Sequence, residues 1–248
     1  VYALTDSAGS GVQQTGTVTL GSNVLIGLVT GKTMTINGVI ADTNGYVLTI
    51  NKTGDTGTVI FGGANTYTGA TTVNAGTLRV TGSGTLGNTS SLLTISGATV
   101  DLQKALTIGS LSMSGTSPAI TNSSGTSSLV VNGTSTLANS VTTSGAQTYT
   151  GAVTLGANTA LTTGTSAGNI LFSSTVSGAN TLSTTTTGDT TFTGAVGGSA
   201  ALSTITNIAG QTLTFSDAVT ATTIANYGTL LFNASSAKTI SPAITDNG

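Results

Sequence analysis

Short stretches that alternate apolar and hydroxyl residues run through the whole chain. Thr148-Tyr149-Thr150, Thr191-Phe192-Thr193, Thr204-Ile205-Thr206 and Thr212-Leu213-Thr214 each set one large apolar side chain between two threonines. Successive side chains of a strand point to opposite faces, so the pattern predicts the apolar group inside and both hydroxyls outside. The stretches are brief and are broken by Gly, Asn-Gly or Ser-Gly, which supply the positive φ that tight corners need. A longer period overlies this one. After Ala146, aromatics recur at Tyr149, Phe172, Phe192, Phe215 and Phe232, at gaps of 23, 20, 23 and 17 residues. A valine stands four residues after each of the first four, at Val153, Val176, Val196 and Val219, and an aliphatic follows further on, at Leu161, Leu182, Leu202, Ile224 and Ile240.

Three hydrophobic classes in one order, once per 20-odd residues, predict a repeated supersecondary unit. Short strands, frequent corners and that period suit one coil of a parallel β-solenoid, each coil lying about 4.8 Å beyond the last. The expected fold is therefore all-β: a parallel β-helix with about 20–23 residues per coil, its like residues stacked as ladders. Tyr149, Phe172, Phe192 and Phe215, with Val153, Val176, Val196 and Val219, are the expected core ladder. An antiparallel sandwich also has many short strands, but nothing in it requires three residue classes to recur at a fixed spacing. No composition break divides the 248 residues, so the chain reads as a single repeat-built segment. It opens at Val1 without a Met and stops at Gly248 in mid-pattern, as a piece of a longer chain would.

Composition sharpens this picture. Thr (56), Gly (35) and Ser (29) dominate, and Glu, His, Cys and Trp are absent. Leu, Ile, Val and Phe together number 59, and the formal charge of −2 is small, which places the chain on the folded side of the disorder signature. Without Cys or His there is no disulfide, thiolate nucleophile, histidine base or Ser-His triad. Five scattered cations make nucleic acid a poor partner. No apolar run approaches the roughly 20 residues of a membrane-spanning helix; Asn23 to Val29 is about the longest.

Residues 36–80 resemble the passenger-associated β-strand repeat of bacterial autotransporters. The core of the likeness is NTYTGATTVNAGTLRV, Asn65 to Val80, with apolar Tyr67, Val73, Leu78 and Val80 and corner glycines Gly69 and Gly76. Within 141–248, the segments GAQTYTGAVTLGANTALTT, NILFSSTVSGANTLSTT and TTFTGAVGGSAALSTIT are similar to repeats of filamentous-haemagglutinin-like exoproteins. Residues 1–140 thus group with autotransporter passengers and 141–248 with the haemagglutinin-like proteins, although 81–140 share little with either beyond composition. The resemblance implies a Gram-negative β-helix exported to the cell surface or beyond, an adhesin or its stalk, and it carries over no ligand-binding residues.

Motifs for chemistry are weak. Gly82-Ser83-Gly84-Thr85-Leu86-Gly87 fits a dinucleotide fingerprint, but the segment that follows is strand-like where a helix is required. Lys52-Thr53-Gly54 and Ser235-Ser236-Ala237-Lys238 copy two serine β-lactamase signatures in reversed order and without the third. Carboxylates on neighbouring coils would lie 20–23 residues apart, and no two of Asp6, Asp42, Asp55, Asp101, Asp189, Asp217 and Asp246 do. Several flank Gly or Asn, where turn formation, with weak calcium binding as the alternative, explains them. Coil lengths that vary from 17 to 23 should spoil a flat, registered threonine face of the kind that orders water. The sequons at Asn51, Asn88, Asn122, Asn132 and Asn233 are expected by chance in so Thr-rich a chain. No catalytic residue, cofactor or metal is expected, and the chain is not expected to be an enzyme. It is expected to be a rigid stalk and contact surface that meets host cells, sister cells or abiotic surfaces. The alternative is a subunit of a filament, sheath or surface layer that pairs end to end with copies of itself as a homopolymer.

Overall fold

The computed structural model describes residues 4–6, 11–164 and 168–247, and among them every regular element is a strand. Among the described residues no helix is long and apolar enough to cross a membrane. The chain divides into two compact units, Val1–Thr126 and Ser127–Gly248, and within each the strands pair in parallel, coil upon coil, as a β-solenoid.

In the first unit, Ile26, Ile50, Val73, Ile95 and Met113 pair in succession on one face. On another face Ile36, Phe61, Val80 and Leu102 do the same, beside a row of Met34, Val59, Leu78, Val100 and Ile120. A shorter pairing, Val18 with Ile40, marks a third face. The strands of the first two faces are three to five residues long, and in Thr33–Ile36, Leu48–Ile50 and Thr58–Phe61 alternate positions point inward and are filled by aliphatic or aromatic groups. The rows of the first two faces are buried, with Met34 at 3% and Ile26 and Met113 at 1% their most exposed members, and they form the core.

Coil length varies without loss of register. The outward row Thr49, Thr72, Thr94 and Ser112 stays paired although its steps are 23, 22 and 18 residues. Unequal coils therefore leave this row in register. The reason is that length differences fall between these strands: residues 81–91 join strands Thr77–Val80 and Leu92–Ser96, whereas 103–109, which include the short strand Leu106–Ile108, make the same passage between Thr99–Leu102 and Ser110–Ser114.

In the second unit one face stacks Leu129–Val131, Gln147–Tyr149, Ile170–Phe172, Thr190–Phe192, Thr212–Phe215 and Thr229–Phe232. Tyr149, Phe192, Ile205 and Leu213 are buried, and their flanking threonines are half-buried or exposed, as the alternation predicted. The third hydrophobic row differs from the sequence reading. Leu182 pairs with Thr159 and Ile205, and Ile205 with Ile224, whereas Leu161 pairs with Thr184, Leu202 with Ala221, and Ile240 lies in the valine row beside Val219. Spacing alone misassigns this row because the segments between it and the valines differ in length from coil to coil. Val153 to Thr159 takes 6 residues, and the equivalent passage from Val196 to Ile205 takes 9.

Candidate functional site

The residues named from the sequence as a ladder lie directly over one another. Ring centroids of Tyr149 and Phe172 are 5.2 Å apart, those of Phe172 and Phe192 4.7 Å, and those of Phe192 and Phe215 5.0 Å, with interplanar angles of 14°, 6° and 13°. Phe232 continues the row at 5.7 Å. Parallel pairing sets the interval, since neighbouring strands lie about 4.8 Å apart. Each stacked pair adds on the order of 1 kcal/mol beyond its area burial. Val153, Val176, Val196 and Val219 form the adjacent row. All eight side chains are buried, so the ladder is interior scaffold and presents no contact surface. Burial pushes the Tyr149 phenol well above its ordinary pKa, and its hydroxyl donates to Gln147 Oε1 at 3.0 Å. Thr191→Ser and Thr193→Ser should each cost under about 1 kcal/mol in urea unfolding, because Thr191 is only half-buried and Thr193 is exposed.

Buried amides fasten one coil to the next. Asn51, fully buried at a left-handed φ of 53°, accepts from Leu28 N–H at 2.8 Å and donates to the carbonyls of Gly57 (2.9 Å) and Ala75 (3.1 Å). It thereby joins the preceding coil, its own and the following one. Asn65 accepts from Ile40 N–H and donates to the Thr85 carbonyl, both at 2.8 Å. In the second unit Gln147 Nε2 donates to Val141 and Thr162 carbonyls, and Asn207 Nδ2 to Asn226 Oδ1. The sequence reading missed all four and took Asn51 for a chance sequon. The available signal was a lone amide closing an alternating run, as in Leu48-Thr49-Ile50-Asn51.

The carboxylates serve the same end. Asp42 accepts from Tyr46 N–H at 2.7 Å, and from the N–H and hydroxyl of Thr68 on the next coil. Asp101 accepts from Arg79 Nε at 2.7 Å, from Ser123 N–H at 2.9 Å, and from the Ser123 hydroxyl at 2.7 Å. Burial by itself would raise the Asp101 carboxyl, but the Ser123 and Arg79 bonds outweigh it and hold the group below its ordinary value. A depressed carboxyl contributes stability that is present above about pH 4 and is lost as acid titrates it. Asp101→Asn should therefore be less stable than the parent by about 1–3 kcal/mol at pH 7, with the gap closing below about pH 4 in urea titrations. Asp217 pairs with Lys238 at 2.9 Å on the surface, and Asp189 accepts from Thr212 N–H. The side chain of Asp6 lies outside the described residues. Among the described residues no three acidic groups gather as a metal cluster would need.

The remaining motifs resolve into structure. Gly82 to Gly87 is a corner with no helix after it. Gly87 has a φ of +69°, and a Cβ there would collide with the Tyr67 carbonyl and lie 2.9 Å from its ring, so the glycine lets the corner close over a buried tyrosine. Ser235 to Lys238 likewise lies on no helix, and its lysine is the partner of Asp217. Asn51 is too buried to carry a glycan, whereas Asn88, Asn132 and Asn233 are exposed.

Residues 50–80 match the family model described as Passenger-associated-transport-repeat. The transport repeat spans the in-register strands Thr58–Phe61, Thr71–Val73 and Thr77–Val80, the staples Asn51 and Asn65, and the buried Tyr67, Val73, Leu78 and Val80. No curated protein and no solved structure matches the chain. A transport repeat within a parallel β-solenoid fits the passenger of an autotransporter, a class of protein that is secreted or displayed at the cell surface.

Proposed function

We propose that the chain is an extracellular segment of a surface adhesin or autotransporter passenger of a Gram-negative cell, serving as β-helical stalk and contact surface. The observation that carries this reading is the transport repeat at 50–80, set in coils whose inward positions are fully used by rows and staples. Such coils are scaffold. What remains for contact is the outward surface of small hydroxyl and amide groups, where many weak contacts with cells or abiotic surfaces sum through multivalency. Coils that touch mainly their neighbours also suit an exported chain, because each folds on the one before it. Antibody raised against residues 1–248 should label intact cells of the producing organism, and proteinase K should remove the label. Labelling only after the cells are broken open would end the proposal.

A second reading, a filament or sheath subunit, draws on one specific observation. In the last described coil of the second unit, Leu231, Phe232, Ile240 and Ile244 are exposed, at 45%, 38%, 38% and 47%. Thr229–Phe232 and Ala243–Asp246 carry strand edges on which a copy can pair. Electron microscopy of the purified chain separates the two: isolated particles support the stalk, and fibres support the filament.

A further inference from the structure

One site on the outward surface of the second unit is built differently from the rest. Strand Ser135–Thr143 pairs with Val153–Thr163, and the register shifts between Leu137 and Asn139. Leu137 faces Leu155 and Asn139 faces Thr159, so Gly156-Ala157-Asn158 are pushed out of the ladder, and all three are exposed. The next coil repeats the tripeptide as Gly178-Ala179-Asn180, and Asn180 Nδ2 donates to the Leu155 carbonyl at 2.8 Å, pinning the second copy to the first. Bulges of this kind re-aim side chains and are enriched beside functional sites.

Beside this ridge lies an open groove of about 330 Å³, lined by Asn139, Asn158, Thr159, Ala160, Thr181 and Ser183. Ala160 and Ser183 are consecutive members of one outward row and make its floor. Asn139 stands at the end of the register shift with a left-handed φ of 64°. Asn158 Oδ1 accepts from Thr181 N–H at 3.0 Å, which orients the amide and leaves its Nδ2 hydrogens for an outside acceptor. The Ser183 hydroxyl adds a donor and an acceptor. The lining contains no charged residue and no large apolar one. Such a surface cannot neutralise an ion and has little to bury, but it matches a ligand that is neutral and carries many hydroxyls. Its volume lies at the small end of ligand sites, room for one or two sugar rings.

We propose that this groove binds a neutral carbohydrate, with Asn158 and Ser183 as its principal hydrogen-bonding contacts and Ala160 as the surface on which a ring rests. The site does not depend on the stalk reading; a stalk without it remains a stalk, and a filament with it remains a filament. The test is a titration of the 248-residue chain, labelled for amide NMR, with maltotriose, mannotriose, galactotriose and chitotriose, and with heparin disaccharide as an anionic comparison. At least one neutral sugar should shift the amides of Asn158, Ala160, Thr181 and Ser183 in a saturable way. Ala160→Trp fills the groove from an exposed position, and Asn158→Ala removes the fixed amide. Each should weaken that sugar at least tenfold while the rest of the spectrum is unchanged, which separates loss of the site from loss of the fold. Shifts that are absent for all four sugars, that survive both substitutions, or that are larger with the heparin disaccharide would overturn the assignment.

Discussion

Phe192→Asp should abolish cooperative folding of the second unit near neutral pH, at a cost above about 4 kcal/mol. The ring is fully buried and lies between Phe172 at 4.7 Å and Phe215 at 5.0 Å. Removing a buried Phe side chain costs about 3–5 kcal/mol through lost transfer energy and the cavity left behind. A carboxylate in that place adds the cost of an unpaired buried charge, because the neighbours on either side are rings and can donate no hydrogen bond. The sign of the pH effect follows. Burial disfavours the charged form, so the introduced carboxyl has a raised folded-state pKa, and its penalty grows as pH rises above the unfolded value of about 4. Urea unfolding followed by circular dichroism should therefore give a midpoint that recovers in part on acidification. Phe192→Leu, which keeps the row apolar, should retain most of the stability. Equal midpoints for the Asp and Leu variants at pH 7 would show that the row is not closed to water.

Asn51→Ala should be the most damaging substitution of a polar residue in the first unit, at roughly 3–5 kcal/mol. It leaves the Leu28 N–H and the carbonyls of Gly57 and Ala75 without their partner inside the solenoid, and it asks alanine to hold a left-handed φ. Asn51→Asp distinguishes lost bonds from lost shape. The carboxyl keeps an acceptor for Leu28 N–H but turns a negative oxygen towards two carbonyls, and only its protonated form can donate to one of them. Its pKa is raised in the folded state, so the variant should be least stable at neutral pH and gain stability as pH falls towards about 4. The wild-type amide has no such dependence at this position. A flat difference between Asn51→Asp and wild type across that range would mean the side chain is open to water.

Both predictions concern one mechanism, seen from the apolar and the polar side. Like groups one coil apart sit at about 4.8 Å, so an error on one coil is felt by two neighbours. How far this was legible in the sequence depended on whether a residue's partners share its type. Tyr149, Phe172, Phe192 and Phe215 face one another, and a recurrence of aromatics every 20-odd residues shows in the chain. Asn51 joins the backbones of Leu28 and Ala75, groups every residue has, so its partners carry no residue type that the chain could show. The groove at Asn139 and Ser183 was equally silent. It arises from a register shift between two strands, and register is a property of the pair.

The sequence by itself determined the all-β class, the coil, the direction of alternation and the aromatic and valine rows, because each rests on the period of apolar residues along one strand or from coil to coil. Only the tertiary structure decided which aliphatics complete the third row, which amides hold the coils together, and where the surface opens into a groove. Those depend on how corners of unequal length bring backbone and side chains together across coils, and corner length changes the spacing in sequence without changing the 4.8 Å step in space.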